Sequence, residues 1–304
     1  MPAEATSPAT WPPYLDESTL DTLIQQWLAE DIGSGDVTTE ATVPPERQAR
    51  GLFLAKAGGI IAGLQVATRI FQQVDPNVRV YWHQADGSPV TAGTIFGTVE
   101  GAAQSLLMAE RLALNLLQRM SGIATATHRL VERVRPYGTK VLDTRKTAPG
   151  LRLLDKWAVR LGGGVNHRLG LYDMILIKDN HIAAAGGIRE AIEAAHRYRA
   201  QRPHPIPIEI EAHSLEDVDA ILAIGGVDWI LLDNFAQRLP DGTLNVAPLR
   251  EAVQRINGRF YTEASGNISL ETAEAIAATG VDAISCGALT HSVQALDLSL
   301  ELTL

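Results

Sequence analysis

The chain has 304 residues, 46% of them hydrophobic and 20% charged, which is enough to bury a sizeable core and excludes wholesale disorder. Its formal charge of −9 argues against a general nucleic-acid or anionic-membrane binder, while leaving room for a local basic pocket. A single cysteine, Cys286, excludes a disulfide framework and any multi-cysteine zinc site, and a reducing, cytoplasmic setting is the simplest expectation.

Residues 1–13 are rich in proline and alanine and lack the basic start and apolar stretch of a signal peptide, so a flexible arm is expected there. Leu20, Leu23, Ile24, Trp27 and Leu28 recur at helical spacing within 18–31, and the segment around Gly33 and Gly35 should end that helix. Alternating runs at 50–56, 78–83 and 94–99, with turn residues between them, predict a small, mainly antiparallel sheet with helices on one face. Leu106, Leu107, Leu112, Leu114, Leu116 and Leu117 predict a helix over 104–120. No stretch approaches the roughly 20 apolar residues that cross a bilayer.

Beyond about residue 140 the grammar changes. Apolar runs at 141–142, 174–177, 206–210, 229–232, 260–261 and 281–284 alternate with helical segments, which implies parallel strands buried on both faces. Residues 214–230 and 269–284 echo one another, each reading as a serine-capped helix that ends at glycine and feeds a strand. Repeated units of this kind build barrels, and six clear strands imply an incomplete one.

Parallel α/β folds carry their reactive groups at the carboxyl ends of the strands. The residues that follow the runs are Asp143 to Lys146, Lys178 to His181, Glu209 to His213, Asp233 and Asn234, Thr262 to Asn267, and Ser285 to Ala288. Any one of these charges could simply end a strand in water. Six strands ending in polar groups are harder to dismiss. Glu209 and Glu211 share parity, so both face one side of the sheet and need a cation, a ligand hydroxyl or a basic partner if that side is the interior. Arg145, Lys146 and Lys178 point to an anionic ligand. The turns Ser265-Gly266-Asn267 and Cys286-Gly287-Ala288 leave backbone N–H groups open to a phosphate. Gly162 to Gly164, followed closely by His167 and Arg168, reads equally as a helix cap with a linker or as a loop wrapping a ligand. His181, His213 and His291 form no i, i+4 metal pair, so a zinc site is not expected. Cys286 reads as a small packed residue rather than a nucleophile.

Together these motifs resemble the quinolinate phosphoribosyltransferase family. The resemblance rests on Glu30 to Thr39, Glu110 to Asn115 with Ser121 to Thr125, Asp143 to Thr147, Gly162 to Arg168, Ile177 to His181, Leu231 to Phe235, Glu263 to Asn267 and Gly287 to His291. It runs from about Leu28 to the C-terminus. It implies a type II phosphoribosyltransferase fold: a sandwich domain over 14–125, joined by 289–304, and an incomplete α/β barrel over 126–288. It implies transfer of phosphoribosyl from 5-phosphoribosyl 1-diphosphate to quinolinate with decarboxylation and Mg²⁺, in a homodimer. By resemblance, Arg145, His167 and Arg168 bind the substrate carboxylates, with Thr144, Lys146 and Lys178 beside them and Arg111 supplied by the partner subunit. Lys146, Lys178, Glu211 and Asp233 match the catalytic positions. Glu211 and Asp233 also match the acidic pair near the ribose hydroxyls and the metal. Ser265, Gly266, Asn267, Cys286, Gly287 and Ala288 match the phosphate turns. Competing readings are a paralogue of the same fold associated with molybdenum transport, a Schiff-base barrel aldolase or decarboxylase using Lys178, and a metabolite-binding protein without catalysis.

Overall fold

A computed structural model describes residues 11–303. In chain order the elements are α1 (Glu17–Ile32), α2 (Val37–Thr42), β1 (Gln48–Ala55), β2 (Gly59–Ile60), α3 (Leu64–Val74), β3 (Arg79–Trp82), β4 (Pro89–Val90), β5 (Ile95–Ala102) and α4 (Ala103–Val134). They continue with β6 (Lys140–Leu142), α5 (Arg152–Leu161), β7 (Ile175–Ile177), α6 (Asp179–Ala185), α7 (Ile188–Ala200), β8 (Ile208–Ala212), α8 (Leu215–Ile224) and β9 (Trp229–Asp233). The hairpin β10 (Gln237–Arg238) and β11 (Leu244–Asn245) precedes α9 (Ala247–Ile256), β12 (Tyr261–Ser265), α10 (Ala273–Ala277), β13 (Ala283–Ser285), α11 (Ala288–His291) and β14 (Leu298–Thr303). Two compact units result. The first holds the chain up to His128, Ala148–Gly163 and everything from Leu289; the second holds Arg129–Thr147 and Gly164–Ala288. The segment 148–163, assigned to the barrel on sequence, therefore groups with the first unit.

The first unit is built on an antiparallel sheet in the order β14-β1-β5-β3. Strand β1 alternates: Ala49, Gly51, Phe53 and Ala55 point inward. Phe53 sits among Phe71, Trp82 and Phe96 with ring centroids 4.8–6.0 Å away, close enough to anchor the core by apolar burial. Strand β14 adds the C-terminal segment to the free edge of β1, with Phe53 opposite Leu300. Of the stretch expected to be a flexible arm, residues 1–10 lie outside the described part. The described remainder is packed: Pro12 is buried and the Trp11 ring lies 5.3 Å from that of Trp157.

Helix α4 runs 32 residues, well past the predicted end at 120. Its buried positions Leu106, Ala109, Ala113, Leu117, Met120 and Ala124 keep one stripe facing the core. The Ser121–Thr125 segment lies beyond the predicted end and is small and polar. In the fold, smallness lets backbone approach: Ser121 Oγ accepts the Ala62 N–H, and Thr125 Oγ1 accepts the Ile60 N–H. Gly122 lies so close to the chain that an added Cβ would stand 2.2 Å from the Gln294 carbonyl oxygen. Arg119 forms a bidentate pair with the fully buried Asp155 of α5, 2.8 Å at each nitrogen.

The second unit holds six parallel strands in the order β6-β13-β12-β9-β8-β7. Strands β6 and β7 are both edges, so the barrel is incomplete, and Val165 makes a single parallel bridge to Leu142 along β6. All six predicted strands are present, but β8, β9 and β12 extend beyond their apolar runs to include Glu211, Asp233, Glu263 and Ser265. The echo holds for its first copy. Ser214 accepts from Asp217 N at the start of α8, and Gly225 ends it at φ +72°. In the second copy Ser269 heads a turn, and α10 shrinks to five residues capped at Thr272.

An alanine is ordinarily preferred over glycine in a helix by about 1 kcal/mol. At Gly122 the steric clash outweighs that preference, and Gly122→Ala should lower stability by about 1–3 kcal/mol. Thermal unfolding is the measurement, with a fall in Tm expected rather than the rise that helix propensity alone would give.

Candidate active site

The register of the parallel sheet stacks polar residues on its inner side. Glu209 pairs with Trp229 and Trp229 with Tyr261; one level further on, Glu211 pairs with Leu231 and Leu231 with Glu263; beyond these, Asp233 pairs with Ser265. The deepest level holds Glu209 beside the Trp229 and Tyr261 rings, which lie 4.3 Å apart. Glu263 lies one level above, and both glutamates are essentially without solvent contact. A buried carboxylate needs a partner of opposite charge.

His167 supplies it. Its Nε2 lies 2.9 Å from Glu209 Oε2 and 3.3 Å from Glu263 Oε2, and its ring meets Trp229 edge-on at 6.1 Å. The loop carrying it is pinned by Asp143 at the end of β6. This fully buried carboxylate accepts the His167 backbone N–H at 2.9 Å and the Asn166 side-chain amide at 2.5 Å. Burial pushes the imidazole down, but the hydrogen bond to Glu209 and the approach of Glu263 outweigh it and raise His167 to about 10. Burial and the charge of Glu263 hold the Glu209 carboxyl up, against the opposing pull of His167.

Nearer the mouth, Lys178 follows β7 and its Nζ reaches Glu211 Oε2 at 3.2 Å. Its backbone N–H donates to His181 Nδ1 at 3.0 Å, which fixes the start of α6 and gives His181 a structural task. His213 Nε2 stands 3.4 Å from Glu211 Oε1, and His213 Nδ1 stands 3.9 Å from Asp233 Oδ2. Glu211, His213 and Asp233 thus hold donor atoms within 4.8 Å of one another, as do His167, Glu209 and Glu263. Neighbouring strands bring together side chains that lie far apart in sequence, which i, i+4 spacing does not register.

Arg145 and Arg168 lie close enough to repel. Burial, then the charge of Arg145, lowers Arg168, whose Nη1 reaches the Met174 carbonyl at 3.4 Å. Arg145 Nε is buried with no acceptor among the described residues. Thr144 Oγ1 accepts the Lys146 N–H at 3.0 Å, and the Lys146 side chain is exposed. In the turn after β12, Gly266 and Asn267 take φ of +87° and +57°. Asn267 Nδ2 donates to the Ala236 carbonyl at 3.2 Å. No helix follows this turn directly, since α10 starts only at Ala273. Cys286 is buried with Sγ 3.6 Å from the Ile268 carbonyl, and Gly287 and Ala288 follow it into the short α11. Arg111 belongs to the other unit, on α4, with its side chain 60% exposed and Glu110 3.9 Å away.

The structure therefore brings His167, Lys178, Glu209, Glu211 and Asp233 onto one inner face and sets Arg145 beside Arg168. It adds Glu263, Asp143 and His213, to which sequence reasoning gave no role. Glu263 and Asp143 stood in quoted motifs; parity with Ser265 and Tyr261 would have placed Glu263 inside.

The family description "Quinolinate phosphoribosyl transferase, N-terminal domain" matches residues 36–121, and its C-terminal-domain counterpart matches 123–301. A mitochondrial quinolinate phosphoribosyltransferase [decarboxylating] from Nicotiana glauca is 48% identical over 297 residues, 96% of this chain and 84% of that protein. A probable nicotinate-nucleotide pyrophosphorylase [carboxylating] from Synechocystis is 44% identical over 292 residues, 96% of this chain and 94% of that one. Among solved structures, NadC from Streptococcus pyogenes superposes with a TM-score of 0.87 at 39% identity, covering 96% of this chain and 99% of that one.

Replacing His167 by leucine strands two buried carboxylates and should cost about 3–5 kcal/mol at pH 8. In the parent both raised groups, His167 at about 10 and Glu209 at about 7, support stability below those values and lose that support as pH rises through them. Denaturant unfolding of parent and His167→Leu at pH 8 reads the loss.

Proposed function

The chain belongs to the quinolinate phosphoribosyltransferase family, and from that membership and the arrangement of the rim we infer that it transfers phosphoribosyl from 5-phosphoribosyl 1-diphosphate to quinolinate with decarboxylation. The products are nicotinate mononucleotide, diphosphate and carbon dioxide, a step of NAD biosynthesis. The observation that carries the reading, beside the family match, is the Arg145–Arg168 pair. Two guanidiniums near enough to repel, one with a buried Nε that has no acceptor among the described residues, suit an anion. Quinolinate offers two carboxylates.

In this reading Arg145 and Arg168 take those carboxylates, with His167, Thr144, Lys146 and Lys178 around them and Arg111 reaching in from a partner subunit. The pyridine nitrogen attacks the anomeric carbon of the ribose as diphosphate departs. The resulting positive ring nitrogen stabilises the carbanion left when the adjacent carboxylate leaves as carbon dioxide. No covalent nucleophile is needed, and the side chains act by positioning and by matching charge. Lys178 is paired with Glu211 rather than set in an apolar pocket, which is not the setting of a Schiff-base lysine. Around the two turns, Gly266, Asn267 and Ala288 would turn backbone N–H groups toward phosphate, with Ser265 and Gly287 beside them, whereas the Cys286 N–H is taken by the Leu142 carbonyl at 3.0 Å and is not available, against the expectation from sequence.

Glu211 and Asp233 are suited to Mg²⁺: two carboxylates converge at the mouth, and Glu211 keeps Oε1 on the side of His213 and Asp233 while Oε2 faces Lys178. When bound there with diphosphate, the ion would neutralise charge developing on the leaving group. Among the described residues no helix is long and apolar enough to cross a membrane. A cytoplasmic homodimer is our proposal: the single buried cysteine suits a reducing compartment, and the second subunit is the one from which Arg111 would reach in.

Incubation with quinolinate and 5-phosphoribosyl 1-diphosphate should consume quinolinate and release diphosphate only with Mg²⁺, with nicotinate inert as control. Turnover of nicotinate in place of quinolinate would overturn the reading. Arg111→Ala and Lys178→Ala should each be nearly inactive alone, yet regain activity when mixed under conditions that exchange subunits. Absence of recovery, with exchange verified by mass spectrometry, would refute a shared site.

A further inference from the structure

Two carboxylates buried against one imidazole are a costly way to fill a core. Apolar residues of similar size are often as stable or more so. Glu209 and Glu263 are nonetheless 0% and 2% exposed, and Glu209 Oε1 has no hydrogen-bond partner among the described residues. Glu263 Oε2 approaches His167 Nε2 to 3.3 Å and raises the imidazole alongside Glu209. Stability alone does not explain such an arrangement. It becomes intelligible if the charge of the ring is the product.

We propose that Glu209 and Glu263 are positioning residues for the substrate, holding His167 as an oriented imidazolium so that it adds a third cation to Arg145 and Arg168 against a substrate carboxylate. A neutral ring whose Nε2–H faces Glu209 would carry a lone pair at Nδ1, and a carboxylate near that edge would be repelled. The imidazolium carries N–H at both nitrogens and one unit of positive charge.

The surroundings of the ring favour the cation from nearly every side. From β8 comes Glu209, which also attracts Arg168. From β12 comes Glu263, whose charge also helps to raise the neighbouring Tyr261 hydroxyl to about 12, after burial and Asp282. From the end of β6 comes Asp143, which holds the backbone N–H. From β9 comes only the edge of Trp229. Arg168, next in the chain, is the opposing charge. Burial disfavours the cation, and the two glutamates overcome it.

The inference rests on the reading of His167 as part of the substrate-carboxylate site, and the experiment separates the two. Full-length protein labelled with ¹⁵N-histidine, without substrates, should show both ring nitrogens of His167 protonated at pH 7.5 and 8.5, the signals being assigned with His167→Gln. Glu263→Gln, isosteric and of checked Tm, should render the ring neutral at pH 8.5. It should raise KM for quinolinate about tenfold, the scale of one charge-assisted contact, and leave KM for 5-phosphoribosyl 1-diphosphate within about twofold. At pH 6 its KM should return toward that of the parent, which a merely structural defect would not do. A neutral tautomer in the parent protein at pH 7.5, or unchanged signals and KM in Glu263→Gln, overturns the proposal. If Glu263→Gln does not fold, the parent spectrum alone decides. Absence of any quinolinate turnover in the parent would defeat the functional reading while leaving the ring's charge to be read by the same spectrum.

Discussion

Charge buried inside a parallel sheet is the constraint from which the rim follows. Strand β8 turns Glu209 and Glu211 to the same inner side, and β12 adds Glu263. At an effective dielectric constant near 20, opposite charges about 4 Å apart attract by about 4 kcal/mol, and buried carboxylates cannot do without such partners. The partners come from loops. His167 descends to Glu209 and Glu263, and Lys178 leans from the head of α6 to Glu211. The loop bearing His167 is held by a fourth buried acid, Asp143. The conformation of the mouth is thus dictated by acids that lie beneath it.

Basic groups gather at the same mouth. His167 and Lys178 each meet a carboxylate within 3.3 Å, whereas Arg168 feels the repulsion of Arg145 against the pull of Glu209 and Asp173, and Arg145 Nε has no acceptor among the described residues. A net charge of −9 says nothing against this, since a partly dry pocket feels its own walls far more than the distant surface. In the proposed reaction this layering of acid and base would sort the substrates: anionic groups would be drawn to the guanidiniums, and hydroxyls and metal-bound phosphate to Glu211 and Asp233.

Much of this was legible in the chain, for a definite reason. Strands buried on both faces must be apolar runs, so all six core strands announce themselves, and the residues after them name the rim. What failed was the assumption that a strand ends where its apolar run ends. Glu211, Asp233, Glu263 and Ser265 are strand residues whose inward polarity ended the run prematurely. Glu263 stands among the residues that follow the run, and its charge carries no sign of the histidine it meets. The run of leucines that marks α4 ends at Leu117, and the helix runs on through small residues, Ser121 and Gly122, that admit the backbone at Ala62 and Gln294. The partnership of His167 with two acids joins strands that are distant in sequence, and local spacing carries no trace of it.

Glycine in the turn after β12 invites two explanations, one by packing and one by ligand binding, and the geometry shows that they do not compete. Asn234 and Asn267 adopt φ of +59° and +57°, a region that asparagine tolerates better than other side chains. Asn234 donates its backbone N–H to the Ser265 carbonyl at 2.9 Å and its side-chain amide to Asp233 Oδ2 at 2.7 Å. A Cβ on Gly266 would stand 2.1 Å from Asn234 Oδ1, so any other residue would push that amide away from the carboxylate. The missing side chain that lets Asn234 brace Asp233 also bares the backbone of the turn. One glycine therefore serves both the acid at the end of β9 and the N–H groups beside it, and a substitution at Gly266 disturbs the two together.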